Sequence, residues 1–577
     1  MRPAASASGC LPCAVLLGCA FWVIHSNGHF YSRDDGYSRA PARDPNIVYT
    51  PYGIIHGRAS LVRGVVVRKF FGIPYAQPPL KTLRFRKPKP LPWKKSRYIR
   101  ATSMGPSCPQ TSYYFDALRN NNDLHMSEDC LYLNVWTAQF KPLRPVVVLI
   151  HGGFFTHGGS ESPMLDMSQL TTRGVVCVSF NYRLNAFGFL YAGVAEAAGN
   201  VGLYDQQLAL QWVKKHIRYF GGDPNRITVM GQGAGAVATA YHLLNSVSQK
   251  LFRRAILQSG NPFSIMNLNQ RSVAMTRAST IAKRLGCSKD DDSLSRTLTD
   301  VVLCMLAKDA RLIAKAAELE FTRGVLSLLP LLDAEGFLKK SPEKLLYDGR
   351  MMSNVEVLMG AAKDGFADSL YYAGYFDAGD EILPGDVKYL VGLFYGTFFR
   401  ANAVPILRYY FRDAANSTDL IRSGGHAIAD GVLICPGNEF AEEMASLGAK
   451  VYYYSFDHTS TFTRKEFGVT SAEETLYSLG SLHGPVGSRL AASLTDLQFA
   501  DDMVDLIATF VYYGRAYSPK SDADWPPYSA EKPFVAHLKA NVTVSYGPRL
   551  EECNFWSYFW NNYDASIGQT YSHVILG

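Results

Sequence analysis

The feature that most constrains the fold is a glycine-punctuated stretch at residues 220–235, which reads FGGDPNRITVMGQGAG. Residues 227–230 are apolar or β-branched, as is typical of a buried strand. They lead into Gly231, Gly233 and Gly235, and an apolar segment follows. Glycines at alternate positions allow the backbone to turn sharply in a small space. The stretch therefore predicts a strand, a tight turn and a helix.

Other segments extend this pattern into a sheet. Residues 146–150 and 175–180 are apolar almost throughout, as expected of strands that are covered on both faces. Between the second of these and the glycine stretch, residues 204–219 place Leu208, Trp212, Val213 and Ile217 on one helical face. Because strands and helices alternate, we expect a parallel sheet.

The two ends of the domain are predicted differently. From Ile47 onward, short β-branched runs are separated by Pro and Gly, which favours an antiparallel edge to the sheet. After a polar segment at 288–300, the pattern indicates a helix-rich region to about Arg412. Strand character returns at 451–456, which we place towards the far edge of the sheet. The sequence predicts one large domain.

Several long motifs identify what this pattern resembles. In chain order they are FFGIPYAQPP (70–79), SEDCLYLNVW (127–136), LIHGG (149–153), NYRLNAFGFL (181–190), GNVGLYDQQLALQWV (199–213) and LFRRAILQSG (251–260). Together they resemble the type-B carboxylesterase and cholinesterase family over about residues 47–560. The resemblance implies an α/β-hydrolase fold, with a large, mostly parallel central sheet flanked by helices.

The same resemblance locates the positions of a catalytic triad. In this fold the tight turn carries GxSxG with the nucleophilic serine at its centre, and here the central residue is Gly233. The acid is expected within AAKDGFADS, where Gly365 occupies its position, and the base within SAEETLYSLG, where Ser471 does. Asp364 or Asp368 could replace the acid if the loop shifted. We therefore expect a degenerate triad and no ester hydrolysis.

The oxyanion hole is also altered. Gly152 and Gly153 remain from the family's HGGG, and Ala234 follows the turn, so these residual positions could still offer backbone N–H groups. Phe154 stands at the third glycine, where its side chain would crowd a carbonyl oxygen. His157 and His483 are candidate replacements for the base, and we interpret both as ordinary loop or surface histidines. Ser259 matches a serine common to the family and is interpreted as structural.

No other chemistry is indicated by the sequence. No cluster of His, Cys or acidic residues has metal-ligand spacing, and no phosphate-binding glycine loop is present, so neither a metal nor a cofactor is expected. The net charge of +8 is mild for 577 residues and includes no long basic run, so nucleic acid is not expected as a partner. In the cholinesterases that this chain resembles, a tryptophan between the cysteines equivalent to Cys108 and Cys130 stacks on the quaternary ammonium of choline. No tryptophan lies between Cys108 and Cys130 here, so the sequence does not support a choline site.

The termini and cysteines indicate a secreted glycoprotein. We predict a signal peptide at 1–28, a flexible leader at 29–46, the hydrolase-like domain at 47–565 and a tail at 566–577, with no transmembrane segment. Cys177 is expected to be a buried free thiol. The resemblance implies three disulfides, Cys108 with Cys130, Cys287 with Cys304, and Cys435 with Cys553. Asn416 and Asn541 head glycosylation sequons.

Three functions remain open at this point. The chain resembles the catalytically inactive neuroligin, glutactin and neurotactin group, which implies extracellular protein recognition or adhesion by a pseudoenzyme. One alternative is a carboxylic-ester hydrolase with displaced catalytic residues. Another is a secreted carrier of an apolar ligand in the residual gorge. The resemblance also allows a homodimer through two helices per subunit, with residues 555–560 in one of them.

Overall fold

The computed structural model of the chain describes residues 44–51, 53–92, 97–111, 125–264, 267–288, 297–321, 328–332, 336–352, 354–367, 384–399, 401–517 and 525–562. The described residues from Pro45 onward form one compact unit. The predicted signal peptide, the tail at 566–577, Asp368 and most of the loop between Cys108 and Cys130 lie outside the described residues.

Strands occur along most of the described chain. They are β1 (Ile47–Thr50), β2 (Gly53–His56), β3 (Arg58–Val62), β4 (Val65–Pro74), β5 (Tyr98–Arg100), β6 (Tyr132–Thr137), β7 (Arg144–Ile150), β8 (Val176–Phe180), β9 (Tyr191–Val194), β10 (Ala197–Ala198), β11 (Gly222–Gln232), β12 (Arg254–Gln258), β13 (Glu356–Ala362), β14 (Lys450–Phe456), β15 (Phe534–Leu538) and β16 (Thr543–Tyr546).

The α-helices lie mainly between strands or in a long insertion before β14. They are α1 (Ser168–Thr172), α2 (Asn185–Phe189), α3 (Val201–His216), α4 (Ala234–Leu244), α5 (Arg271–Arg284), α6 (Leu298–Leu306), α7 (Ala310–Phe321), α8 (Pro342–Tyr347), α9 (Pro384–Phe399), α10 (Val404–Tyr410), α11 (Ser417–Ala429), α12 (Cys435–Ser446), α13 (Glu473–Leu479), α14 (Pro485–Leu490), α15 (Leu494–Tyr513) and α16 (Leu550–Asn561).

Eleven of the described strands form one sheet, in the order β16-β15-β14-β13-β12-β11-β7-β8-β6-β4-β3. The run from β15 to β8 is parallel throughout, whereas β16 and the β6-β4-β3 end are antiparallel. Parallel neighbours require crossover connections, and the helices that supply them cover the sheet. The predicted α/β-hydrolase fold with a mostly parallel central sheet is confirmed.

The sheet separates two large apolar clusters. Val146 and Val148 of β7 belong to the cluster that includes residues of α3, whereas Val147 and Leu149 belong to the cluster that includes residues of α15. Successive side chains of a strand point to opposite faces, so a strand covered on both sides is expected to be apolar at nearly every position. This explains why residues 146–150 of β7, β8 except for Ser179, and residues 227–230 of β11 except for Thr228 are apolar, as the sequence predicted.

Two parts of the sheet differ from the sequence-based expectations. Strand β13 lies inside the region that we expected to be helix-rich, where it pairs with β12 and β14. At the N-terminal end, β3 and β4 form the expected antiparallel edge, but β1 and β2 belong to a separate small sheet with β5. β14 is third from one end of the main sheet, because the hairpin β15–β16 lies beyond it.

The cysteines pair as the resemblance implies: Cys108 with Cys130, Cys287 with Cys304, and Cys435 with Cys553. Cys177 is a buried free thiol, and burial raises its pKa to about 12, so it is a thiol at neutral pH. The third disulfide ties α16 to the start of α12.

The exposed features of the domain bear on secretion and assembly. Asn416 and Asn541 are both exposed, and their glycosylation stays a prediction. In α16, Trp556 is buried while Tyr558 is 70% exposed, so its aromatic residues point both inward and outward. The homodimer stays a prediction. Across the described residues, every helix is too short or too polar to cross a membrane.

Candidate active site

Gly233 occupies a sharp turn between the longest described strand and a buried helix. β11 ends at Gln232, α4 begins at Ala234, and Gly233 between them has φ 54° and ψ −120°. Its N–H donates to the Gln258 carbonyl of β12 at 2.8 Å, and its carbonyl accepts from Val237 N at 3.0 Å. A positive φ of this kind is the strained conformation that holds a nucleophile clear of the sheet in GxSxG turns. The backbone of the predicted turn is therefore intact.

The three glycines of the turn differ in what they require. A Cβ on Gly231 would lie 2.1 Å from the Gly235 carbonyl oxygen, and a Cβ on Gly235 would lie 2.0 Å from the Ile150 carbonyl oxygen. These two positions accept only glycine because the backbones approach too closely. A Cβ on Gly233, by contrast, would meet nothing within 4 Å. Space for a side chain remains at the nucleophile position, and the side chain is missing.

The positions expected for the acid and the base lie side by side. Ser471 N donates to the Gly365 carbonyl at 3.1 Å, and a Cβ on Gly365 would lie 3.4 Å from Ser471 Oγ. Ser471 and Gly233 line the same cavity. The Ser471 hydroxyl is buried and has no hydrogen-bond partner among the described residues. The three triad positions are thus brought together with neither a nucleophile, an imidazole nor a carboxylate on them.

Asp364, the alternative acid, is committed elsewhere. One carboxylate oxygen lies 2.6 Å from His426 Nε2 of α11, and the other accepts from Val469 N at 2.8 Å. Burial opposes ionisation, but the hydrogen bonds from His426 and Val469 outweigh it and lower the pKa of this carboxyl. Asp364 therefore serves as a buried partner of His426. The sequence analysis did not single out His426, because nothing in the sequence links two residues 62 positions apart.

The loop that would form the oxyanion hole is tightly folded around Gly153. The N–H groups of Thr156 and His157 both donate to the Gly153 carbonyl, at 2.9 and 3.0 Å. Phe154 has φ 52°, so it keeps the left-handed backbone of a glycine while carrying a large side chain. Phe154, Gly152, Gly153 and Ala234 all line the cavity. The three positions expected for the oxyanion hole therefore lie along one cavity, with the Phe154 side chain beside them.

The cavity at the turn is enclosed mainly by apolar side chains and measures about 230 Å³. None of the described residues that line it is Asp, Glu, Lys or Arg. Its lining residues are Leu149, His151, Gly152, Gly153, Phe154, Phe155, His157, Gly158, Gly159, Ser162, Met164, Leu165, Gln232, Gly233, Ala234, Val237, Ser259, Gly260, Asn261, Ser264, Asn267, Leu329, Phe366, Val432, Leu433, Ser471, Ala472 and Thr475. Such a lining suits an uncharged ligand.

Of the three residues that could replace a catalytic group, His157 and Ser259 line the cavity and His483 does not. His157 lines the cavity, and its Nδ1 lies 3.0 Å from Thr156 Oγ1. Ser259 also lines the cavity, where its hydroxyl accepts from Ala362 N at 3.2 Å. His483 lies away from the cavity, next to Arg63 and Asp501.

Glu474 is a buried acid close to Tyr454, and the sequence motifs gave no reason to single it out. Burial raises its pKa to about 7, although a hydrogen bond from the Tyr454 hydroxyl favours the charged form. The Tyr454 hydroxyl donates to Glu474 at 2.9 Å. Glu474 is therefore a buried carboxyl that titrates near neutral pH.

The described residues include no group of three or more His, Cys, Asp or Glu side chains placed to hold a metal ion. The polar groups of the cavity are hydroxyls, amides, imidazoles and backbone N–H groups. These groups can bind a ligand by hydrogen bonds.

Comparison with known proteins places this geometry in a family. A model described as the carboxylesterase family matches residues 44–556. The chain is 32% identical over 553 residues to a cholinesterase of Mus musculus, covering 91% of this chain and 88% of that one. It is 33% identical over 534 residues to an acetylcholinesterase of Bungarus fasciatus, covering 89% and 86%. It is 32% identical over 558 residues to an acetylcholinesterase of Leptinotarsa decemlineata, also covering 89% and 86%. The chain belongs to the carboxylesterase family.

Proposed function

We propose that this protein is a non-hydrolysing member of the carboxylesterase family that acts outside the cell by recognising another protein. The observation that carries the proposal is the turn at Gly233, which keeps the nucleophile-bearing backbone and the space for a side chain but has none. The chain resembles the neuroligin, glutactin and neurotactin group in this respect.

The missing groups account for the expected loss of hydrolysis. Acyl transfer on this fold needs a nucleophile, a base that takes its proton and an acid that orients the base. Gly233 and Gly365 have no side chains, and the Ser471 hydroxyl is not basic at neutral pH. In a comparable triad, loss of the nucleophile or the base costs about 10⁶ in rate, and the loss of the other members adds little. Any residual hydrolysis at this site should be indistinguishable from that of buffer.

Hydrolysis of p-nitrophenyl acetate by the purified native protein tests this half of the proposal. We expect no saturable steady-state turnover above buffer. Saturable turnover that is retained through purification would contradict it and favour the alternative, an ester hydrolase with displaced catalytic residues. Because the relatives carry the names cholinesterase and acetylcholinesterase, acetylthiocholine serves as a second substrate in the same assay.

Secretion and recognition need a separate measurement. Expressed with its own N-terminus, the protein should appear in the medium without residues 1–28. The purified protein should then bind saturably to the surface of cells in a panel, and mild protease treatment of the cells should abolish this binding. Retention inside the producing cells, or binding that resists protease, would contradict extracellular protein recognition.

A second function, binding of an apolar ligand, is favoured by the cavity itself. Its lining has no formally charged side chain among the described residues. Four of its residues, Phe154, Phe155, Ser259 and Ala472, also hold positive φ values without being glycine. Backbone strain of this kind persists only when the surrounding structure enforces it, and it clusters at binding sites.

A matched pair of substitutions at Gly233 tests ligand binding. Gly233→Phe fills the open space beside the turn, whereas Gly233→Ala adds one methyl group at the same backbone conformation. An environment-sensitive apolar probe should bind the native protein and Gly233→Ala alike and bind Gly233→Phe at least about tenfold more weakly. Equal binding by the two variants would contradict a ligand site in this cavity.

A further inference from the structure

A hydrogen-bonded chain of Ser, His and Asp lies at the opposite end of the sheet from β3, outside the cavity. Ser545 Oγ of β16 is 2.8 Å from His537 Nε2 of β15, and His537 Nδ1 is 2.7 Å from Asp457 Oδ2. Ser545 is exposed, while the side chains of His537 and Asp457 retain 28% and 14% of their exposure. None of the three lines the cavity at Gly233.

The register of three strands brings these residues together. The parallel pairing of β14 with β15 sets Ser455 opposite His537, and Asp457, two residues further, emerges on the same face. The antiparallel pairing of β15 with β16 sets Thr543 opposite His537. Ser545 is then the diagonal neighbour of His537 on that face, within reach of its ring. The sequence alone gives no sign of this arrangement, because Asp457 and His537 are 80 positions apart.

The geometry assigns each group a role in nucleophilic chemistry. When Nδ1–H donates to Asp457, the lone pair of Nε2 faces the Ser545 hydroxyl, as a general base requires. Burial opposes ionisation of Asp457, but the hydrogen bonds from His537 and the Ser455 hydroxyl lower its pKa. Asp457 is therefore a carboxylate at neutral pH and can stabilise the imidazolium that forms when His537 takes a proton.

We propose that Ser545 is a surface nucleophile that accepts an acyl group from small activated esters, independently of the turn at Gly233. In this step Ser545 Oγ forms a bond to the acyl carbon, and its proton passes to His537 Nε2. The bond between the acyl carbon and the leaving oxygen then breaks, and the alcohol or phenol departs with that proton. The product is an acyl ester of Ser545 and one equivalent of alcohol.

The exposure of Ser545 to solvent should limit its rates of acylation and deacylation. Ser545 projects from an edge strand towards solvent and does not share the cavity that could hold a substrate. Without the pre-organised binding that accelerates acyl transfer in enzymes, acylation is slow and deacylation slower still. The expected behaviour is a single acylation of each chain. If the same hydrogen bonds merely stabilise the hairpin, Ser545 is no more reactive than another exposed serine.

A fluorophosphonate probe tests the proposal, because it forms a stable bond to an activated serine through the same attack. The native protein should acquire one adduct per chain, mapped by mass spectrometry to Ser545, and release one equivalent of p-nitrophenol from p-nitrophenyl acetate in a burst. Ser545→Ala should abolish both signals. His537→Gln should slow the labelling by at least about tenfold, since it removes the base, and Asp457→Asn should slow it less.

The controls separate reactivity from folding and access. Ser557→Ala removes an exposed serine of α16 that accepts a hydrogen bond from Asn561 and has no imidazole partner among the residues that the structure describes. Labelling of this variant should be unchanged. Near-ultraviolet circular dichroism verifies that each variant is folded. Because Asn541 heads a sequon in the same hairpin, labelling is repeated on Asn541→Gln. Absence of an adduct at Ser545 in both forms, or an unchanged labelling rate in His537→Gln, would overturn the proposal.

The result is independent of the proposed loss of hydrolysis at Gly233. A burst of one equivalent that disappears in Ser545→Ala supports the surface nucleophile and leaves the recognition proposal intact. Steady-state turnover that survives Ser545→Ala would contradict the recognition proposal and would not bear on Ser545.

Discussion

At the level of single residues, the backbone conformation of Gly233 is held independently of the side chain at that position. Its backbone is held by hydrogen bonds to Gln258 and Val237 whatever its side chain is. Gly231 and Gly235 are fixed by close approach of the backbone. The structure of the turn therefore does not depend on a side chain at position 233, which is why glycine spacing in the sequence was sufficient to predict the turn.

Alanine substitutions at Gly233 and Gly235 should reduce the free energy of unfolding by very different amounts. Gly233→Ala places a Cβ in open space and adds only the strain of a positive φ, about 1–3 kcal/mol. Gly235→Ala drives a Cβ against the Ile150 carbonyl oxygen and should cost more than about 4 kcal/mol or prevent folding. Urea unfolding of both variants measures the difference. Equal losses of stability would mean that the turn is not built as described.

Glu474 predicts a pH dependence of stability. Its pKa rises from 4.5 to about 7 in the folded protein, so between these values the folded chain holds a proton that the unfolded chain has released. Its contribution to stability is therefore fully present below pH 4.5 and is lost as the pH rises through 7.

Glu474→Gln keeps the shape of the side chain and removes this titration. Relative to the native protein, the variant should gain stability as the pH rises from 4.5 to 7, by about 3 kcal/mol over the interval. Denaturant unfolding at closely spaced pH values measures the difference. A difference that is flat across this range would contradict a buried Glu474 with a raised pKa.

At the scale of elements, the sequence predicted best where one physical requirement dominates. β7 and β8 are covered on both faces, so they are apolar almost throughout and could be recognised as strands. β13 reads EVLMGAA, and a short apolar run cannot be distinguished from part of a buried helix by its periodicity. The hairpin β15–β16 was missed as well, because its β16 strand is mostly exposed and lacks an apolar pattern.

Two aromatic substitutions in α16 test which face of this helix packs against the rest of the domain. Trp556 is 1% exposed and stacks on Tyr395, whereas Tyr558 is 70% exposed. Trp556→Ala should cost about 3–5 kcal/mol of unfolding free energy through the cavity that it leaves. Tyr558→Ala should change that free energy by less than about 0.5 kcal/mol in the monomer. Similar effects of the two substitutions on thermal unfolding would contradict the packing of this helix.

At the level of the whole molecule, the family's fold does not depend on the side chains at the three positions expected for the triad. The core lies on the two faces of the sheet. Gly233 and Gly365 follow the carboxyl ends of β11 and β13, Ser471 lies beside Gly365, and these three residues contribute little apolar area to the core. Long motifs in the sequence were therefore enough to predict the fold, and the assignment of Gly233, Gly365 and Ser471 to the triad positions stays a prediction made from the same motifs. The pairing of Asp364 with His426 and of Asp457 with His537 depends on tertiary register, which no short motif encodes.

We propose that the turn at Gly233 keeps the backbone of a hydrolase site and lacks the side chains that react. The most direct measurement compares steady-state hydrolysis of p-nitrophenyl acetate by the native protein and by a restored variant, both carrying Ser545→Ala. The restored variant combines Gly233→Ser, Gly365→Glu, Ser471→His and Phe154→Gly.

We predict no turnover by the native chain and saturable turnover by the restored variant, which is lost again when Ser471→His alone is reverted. Saturable turnover by the native chain would contradict the proposal that the site at Gly233 lacks its reacting groups.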